Sequence, residues 1–213
     1  MFAQRTYEAV LAEGAVSSFI DLGCNAGWFA LWLEAELPDP ERAGLLIDAN
    51  QFIVAEADWH LKRNRLRRQQ VVYGAVGLPP EAKSAVFHIL PSASQSSLLE
   101  YEPGKQLPVK GRIKDVAVPA ISVRREWGAR FEGRPVDLMK IDIEGNELDF
   151  IRHEGEFIQT NVRTILLEWH KWHTALADLD RALREIGFMR RGTYHENEMT
   201  GIAIYGSRQG AGT

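Results

Sequence analysis

The stretch VDLMKIDIEGNELDFI (136–151) sets Lys140, Asp142 and Glu144 in alternation at the end of an apolar run, with Glu147 one helical turn further on. Alternate residues of a strand point to one face. Ionisable groups on an otherwise buried strand are costly to desolvate unless they are paired or used. Paired, the lysine and the acids tie strand to helix; used, a carboxylate withdraws a proton from a bound acceptor. A second apolar run, TILLEWHKWH (164–173), ends on Glu168 and His170. Neighbouring parallel strands lie about 4.8 Å apart, which brings Glu168 and His170 to Asp142. The expected catalytic cluster is therefore Lys140, Asp142, Glu144, Glu168 and His170, with Asp142 or His170 as the base. A positioned base is worth about 10²–10⁴-fold. Hard carboxylate oxygens also suit Mg²⁺. The E-x-H-x-x-H spacing from Glu168 to His173 offers zinc-competent groups without the regular HExxH arrangement, and no metal is assigned.

A different chemistry is written in DLGCNAGWFA (21–30), where two glycines sit between an apolar run and a helical pattern. Glycine at a strand-to-helix turn permits positive φ and lets a ligand approach the backbone. Asp21 and Asp48 end the first two apolar runs, where open α/β sheets bind their ligands, and a carboxylate at Asp48 suits the two hydroxyls of a ribose. A dinucleotide site would need G-x-G-x-x-G, but from Gly23 onward its second and third glycines are Asn25 and Trp28. No Gly-Lys-Ser/Thr follows, which excludes a P-loop. An adenosine-type ligand held by Asp21, Gly23, Asn25, Gly27 and Asp48 is expected, with Asn64 reaching the adenine edge. Cys24, the one cysteine, excludes an internal disulfide and reads as a small buried residue rather than a thiol nucleophile.

The elements that must hold these residues alternate. Short apolar runs at 16–22, 44–49, 70–76, 136–143 and 162–169 are separated by helical patterns at 26–37, 52–66, 146–157 and 174–188. That order predicts βαβ units and a mostly parallel sheet covered on both faces. FMRRGTYHEN and MTGIAIYG then form an antiparallel hairpin at one edge. Residues 78–123 fit least well: two strand-like runs flank a long polar loop, which is expected to cover the cofactor and shape the acceptor pocket through Ser94 to Leu98. We expect one domain over 1–213, with that insertion and a flexible tail from about 207.

With 213 residues and a net charge of −4, wholesale nucleic-acid binding is disfavoured. The basic run KRNRLRR (62–68) reads as a solvated helix end, because no aromatic platform is interleaved in it. No apolar run approaches the roughly 18 residues of a membrane span and no signal-peptide core is visible, so a cytoplasmic enzyme is expected. The oligomeric state stays open.

Over residues 17–170 the chain resembles the FkbM family of S-adenosylmethionine-dependent methyltransferases. The resemblance rests on KIDIEGNEL followed by ILLEWH, on DLGCNAGWFA with asparagine at 25, and on the serine-containing SASQSSLL (92–99). It implies a Rossmann-like seven-stranded methyltransferase sheet, mostly parallel with a C-terminal antiparallel hairpin. It also implies S-adenosyl-L-methionine as cofactor, with Ser97 beside it, and an acceptor hydroxyl of a sugar or natural product, or alternatively a peptide side-chain amide. Gly74 departs from methyltransferases that carry an acid near the adenine. A Rossmann-type oxidoreductase and a non-catalytic cofactor-binding module are the competing classes.

Overall fold

A computed structural model of the chain describes residues 4–12, 14–91, 96–100 and 111–208. Seven strands form one sheet: β1 (Ser18–Leu22), β2 (Ala43–Asp48), β3 (Gln69–Tyr73), β6 (Val136–Ile141), β7 (Val162–His170), β8 (Phe188–Glu196) and β9 (Thr200–Ser207). Their order is β3-β2-β1-β6-β7-β9-β8. The first five are parallel, and β9 runs antiparallel between β7 and β8. The expected sheet and its antiparallel end are both present.

Alternation along the buried strands explains the two helix layers. Ile20, Leu45, Ile47, Met139, Ile165 and Leu167 pack with α4 (Val123–Phe131), α5 (Glu147–His153), α6 (Gly155–Asn161) and α7 (Leu176–Glu185). The intervening Phe19, Leu46, Leu138 and Leu166 pack with α1 (Gln4–Leu11), α2 (Trp28–Glu36) and α3 (Gln51–Arg63). A strand that is apolar on both sides belongs in the middle of three layers.

Three local expectations change. The single helix expected over 146–157 is two short ones, broken at Glu154. The helices α1 and α4 are not among the expected elements. Val123 ends no strand: Ser122 caps α4, its hydroxyl accepting from Arg125 N at 3.5 Å. The remaining insertion strands, β4 (Ser84–Ile89) and β5 (Lys114–Pro119), pair with each other in a separate antiparallel ribbon. Backbone bonds between Ala75 and both Pro119 and Ile121 fasten this ribbon beside the ends of the parallel strands. Ser94, the centre of the polar loop (101–110) and the tail beyond 208 lie outside the described residues.

Candidate active site

Parallel strands reverse order between β1 and β6, and a crevice opens there at their carboxyl ends. A cavity of about 430 Å³ occupies it, bounded by Gly23, Asn25 and Asp48 on one side and by Asp142, Glu144, Glu168 and His170 on the other.

The turn after β1 is drawn against β2, because Gly23 N and Cys24 N both donate to Ile47 O, at 3.0 and 3.1 Å. Gly23 has φ 69°, and a Cβ there would stand 1.7 Å from the carbonyl oxygen of Asp142. The glycine is required by the close crossing of two chain segments at the switch point, independently of any ligand. Gly27 also has positive φ (78°), but a Cβ on it would meet only ordinary contacts with Leu46 and Ala57. Its role is to start α2, and it does not border the cavity.

Asp48 holds the turn from the next strand. Its Oδ2 accepts from Asn25 N at 3.0 Å and its Oδ1 from Asn50 N at 2.8 Å. Burial pushes the Asp48 carboxyl up to about 6, opposed by these two bonds. Each oxygen keeps a lone pair, so the carboxylate can accept one more hydrogen bond on each side, which suits two vicinal hydroxyls. Ile47, Ala49, Ile53, Phe87 and Leu90 line the adjoining apolar part of the cavity, which suits a flat base. Gly74 lines it too, where a Cβ would collide with Ile121 at 2.8 Å. The donor set and the apolar slot therefore fit an adenosyl cofactor.

Lys140 lies beneath the turn. Its ammonium is 3.3 Å from Asp21 Oδ1, 3.1 Å from Asp142 Oδ2 and 3.4 Å from Gly23 O. Burial pulls Lys140 down, but Asp142 and Asp21 outweigh it and hold the ammonium well above its usual range. Burial also pushes Asp21 up, with Lys140 pulling it back. Asp21 is fully buried and does not border the cavity; it reaches the turn through Lys140. Tyr7 of α1, absent from the expected site, packs nearby; burial raises it to about 12 while Lys140 opposes.

On the acceptor side the strict alternation stops at Ile141, and Glu144 takes a left-handed φ of 54°. That bend turns Glu144 towards β7, where its Oε2 lies 3.2 Å from His170 Nε2. His170 Nδ1 lies 2.8 Å from Oε1 of Glu147, which is fully buried and also accepts from Gly145 N at 2.9 Å. Burial pulls His170 down, but the hydrogen bond and charge of Glu147, then Glu144, push it up to about 10. In this arrangement both ring nitrogens of His170 face carboxylates, so neither is turned freely to the crevice.

Glu168 borders the same cavity, and its carboxylate has no hydrogen-bond or ion-pair partner among the described residues. Burial, then the charge of Asp142, raises it to about 7. Burial raises Glu144 to about 8 despite His170. Asp142, Glu168 and His170 also place one ligand atom each within 4.8 Å of one another, a set that omits His173. In the described geometry His170 Nε2 faces Glu144 and Nδ1 faces Glu147.

Two further expected cofactor residues, Asn64 and Ser97, do not border the cavity either. Asn64 is at the far end of α3, its amide donating to His60 O at 2.8 Å. A helix rises 1.5 Å per residue, so Asn64 lies roughly 20 Å from the Asn50 end that adjoins the cavity and cannot reach an adenine there. Ser97 donates from its hydroxyl to Glu144 O at 2.7 Å and accepts from Leu99 N at 3.0 Å. It fastens its segment to the acid loop, while the flanking Ser96 and Leu98 line the cavity. Cys24 is buried and its thiol pushed up, by burial first and then by Asp48, as befits an inert residue.

The model of the methyltransferase FkbM domain matches residues 37–190, most of the chain. The chain belongs to the FkbM methyltransferase family. It is an S-adenosylmethionine-dependent methyltransferase. No curated protein matches the chain. Among solved structures, the fold of this FkbM methyltransferase is similar to that of the FkbM methyltransferase from Methylobacillus flagellatus KT, at a TM-score of 0.57 and 14% identity, covering 90% of this chain and 43% of that one. It is similar to M. capricolum TrmK in complex with S-adenosyl-homocysteine, at a TM-score of 0.58 and 9% identity, over 98% and 70% of the two chains. It is also similar to NcsB1, an O-methyltransferase from neocarzinostatin biosynthesis, at a TM-score of 0.52 and 13% identity, over 94% and 53%. Among the described residues, no helix is long and apolar enough to cross a membrane.

Proposed function

We propose that this FkbM methyltransferase transfers the cofactor's methyl group to a hydroxyl oxygen of a sugar or natural product, with Glu168 accepting the hydroxyl proton. The bound cofactor supplies an electrophilic methyl group on a sulfonium. The chain supplies position, because the cofactor turn and the acid cluster face each other across one crevice, and holding two reactants in line replaces a bimolecular encounter. A hydroxyl is a weak nucleophile, and it gains from a base whose proton affinity matches the working pH. The observation that carries the assignment is the unpartnered carboxylate of Glu168 on the cavity wall, held near 7. Lys140 and His170 are each engaged by two carboxylates and serve as fixed cations that keep the acids in place. A peptide side-chain amide is the competing acceptor.

The test is transfer from cofactor labelled with ¹³C at the methyl group to a panel of sugars, phenolic natural products and asparagine-containing peptides. The product's methyl carbon resonance distinguishes attachment to oxygen from attachment to nitrogen. Labelled methyl on oxygen supports the proposal; label found only on amide nitrogen overturns it.

A further inference from the structure

The basic run at 62–68 lacks aromatic residues in sequence, but the fold supplies them from elsewhere. Trp28, at the start of α2, and Trp59, on α3, are 44% and 56% exposed and flank the His60 ring, with centroids 5.0 and 5.1 Å from it. Arg63 stands over Trp59, 5.6 Å from the ring centroid. Beyond it the chain leaves the helix through Arg65, in the left-handed region at φ 60°, and exposes Arg65 and Arg67. Carboxylates engage two cations of the run: Asp58 holds Lys62 and Glu41 holds Arg68. Arg63, Arg65 and Arg67 have no carboxylate partner among the described residues. Two turns back along α3, past the exposed Glu56, Phe52 is 62% exposed with Lys114 5.8 Å from its ring. Its neighbour Ile53 lines the cavity.

We propose that this face of α2 and α3 binds single-stranded nucleic acid, with bases stacking on Trp28 and Trp59 and phosphates held by Arg63, Arg65 and Arg67. Exposed indoles offer π-faces that every base can use, and arginines beside them neutralise a backbone; the two together define a platform for unpaired strands. Two large aromatic side chains left in water side by side, one from each of two helices, call for a covering partner. The unpaired positive charge beside them selects an anionic one. A duplex keeps its bases stacked inside and offers nothing to the indoles. The surface is separate from the catalytic crevice, and the proposal does not depend on which acceptor atom is methylated.

The test is fluorescence anisotropy with labelled oligouridylate and oligothymidylate of about a dozen nucleotides, and with a duplex of the same length. The protein is the full chain with S-adenosylhomocysteine bound. Both single strands are expected to bind at about 50 mM salt, and three phosphate contacts give a log–log salt slope of about −2. The duplex is expected to bind at least about tenfold more weakly. The double variant Trp28→Ala, Trp59→Ala should weaken single-strand binding by about tenfold or more with the slope kept. The double variant Arg65→Glu, Arg67→Glu should flatten the slope. Unchanged S-adenosylhomocysteine affinity in both variants shows that they fold and that the cofactor site is intact. Tighter binding of oligouridylate supports RNA as the partner, and tighter binding of oligothymidylate supports DNA. The proposal is overturned if neither single strand binds, if duplex binds equally well, or if the tryptophan variant binds like the parent. It is also overturned by a dimer in sedimentation that the tryptophan substitutions dissociate, which would assign this face to a second copy of the chain.

Discussion

His170 donates from Nδ1 to the carboxylate of Glu147 across 2.8 Å, and both side chains are almost wholly excluded from water. The contact joins the end of β7 to the first turn of α5 and fixes which way the imidazole faces the crevice.

Breaking this pair should cost stability before it costs chemistry. Removing one partner of a buried ion pair leaves the other uncompensated, so Glu147→Ala should destabilise the fold by about 3–5 kcal/mol in urea unfolding. The pH dependence has a definite sign. His170 is held up to about 10 when folded and titrates near 6.5 when unfolded. Its contribution is therefore complete below about 6.5 and disappears as pH rises to about 10. Glu144, raised to about 8, acts in the same direction. Stability should fall between pH 7 and 10, and Glu147→Gln should remove most of that slope.

Substituting Glu168 should act on turnover instead. Glu168→Gln keeps the shape and removes the proton acceptor, and kcat should fall by about 10²–10⁴-fold. S-adenosylhomocysteine affinity should stay within about threefold, under a kcal/mol. The parent's kcat should rise through a limb near pH 7, following the Glu168 carboxyl at about 7, and that limb should be missing in the variant. Retained turnover with the limb intact would move the base to Asp142, which Asp142→Asn would then confirm.

Asp48 should make cofactor binding pH-dependent. Free of ligand its carboxyl sits at about 6. Two hydroxyls donating to it favour the charged form, so its pKa falls on binding. Affinity must then strengthen as pH rises through about 6 and level off above 7. Calorimetry with S-adenosylhomocysteine should show up to about tenfold weaker binding per pH unit below that point. Asp48→Asn should bind weakly with no such slope.

Gly23 offers a test of the crossing itself. Alanine there would place its Cβ 1.7 Å from Asp142 O at a φ of 69°. Overpacking and backbone strain each cost about 1–3 kcal/mol, so Gly23→Ala should lose at least about 2 kcal/mol and misplace Asp142. Gly27→Ala, with ordinary contacts, should lose about 1–2 kcal/mol, from left-handed backbone alone. Parallel denaturation of the two variants gives the comparison directly.

What the sequence determined by itself was local or periodic. The alternation of apolar runs with helical patterns set the layers, because each strand's two-sided apolarity leaves it nowhere but the middle of a covered sheet. The glycines at 23 and 27, the acid at 48 and the K-I-D-I-E-G-N-E run each state their chemistry within a few residues. Tertiary structure decided every relationship that depends on register between distant segments. Asp21 pairs with Lys140 because β1 and β6 lie side by side in that register. Gly23 is needed because the backbone of Asp142 passes against it, which no turn rule contains. Glu147 lies one helical turn beyond Glu144 in the sequence, yet it becomes His170's partner only when α5 folds back over β7. Asn64, close to the cofactor turn in neither sequence nor space, is carried away by the length of α3. Trp28 and Trp59 are thirty-one residues apart, and only the packing of α2 against α3 sets them on either side of one histidine. Side-chain chemistry is readable from composition and spacing, but a contact between two elements is fixed by the geometry of the whole sheet, to which every strand contributes.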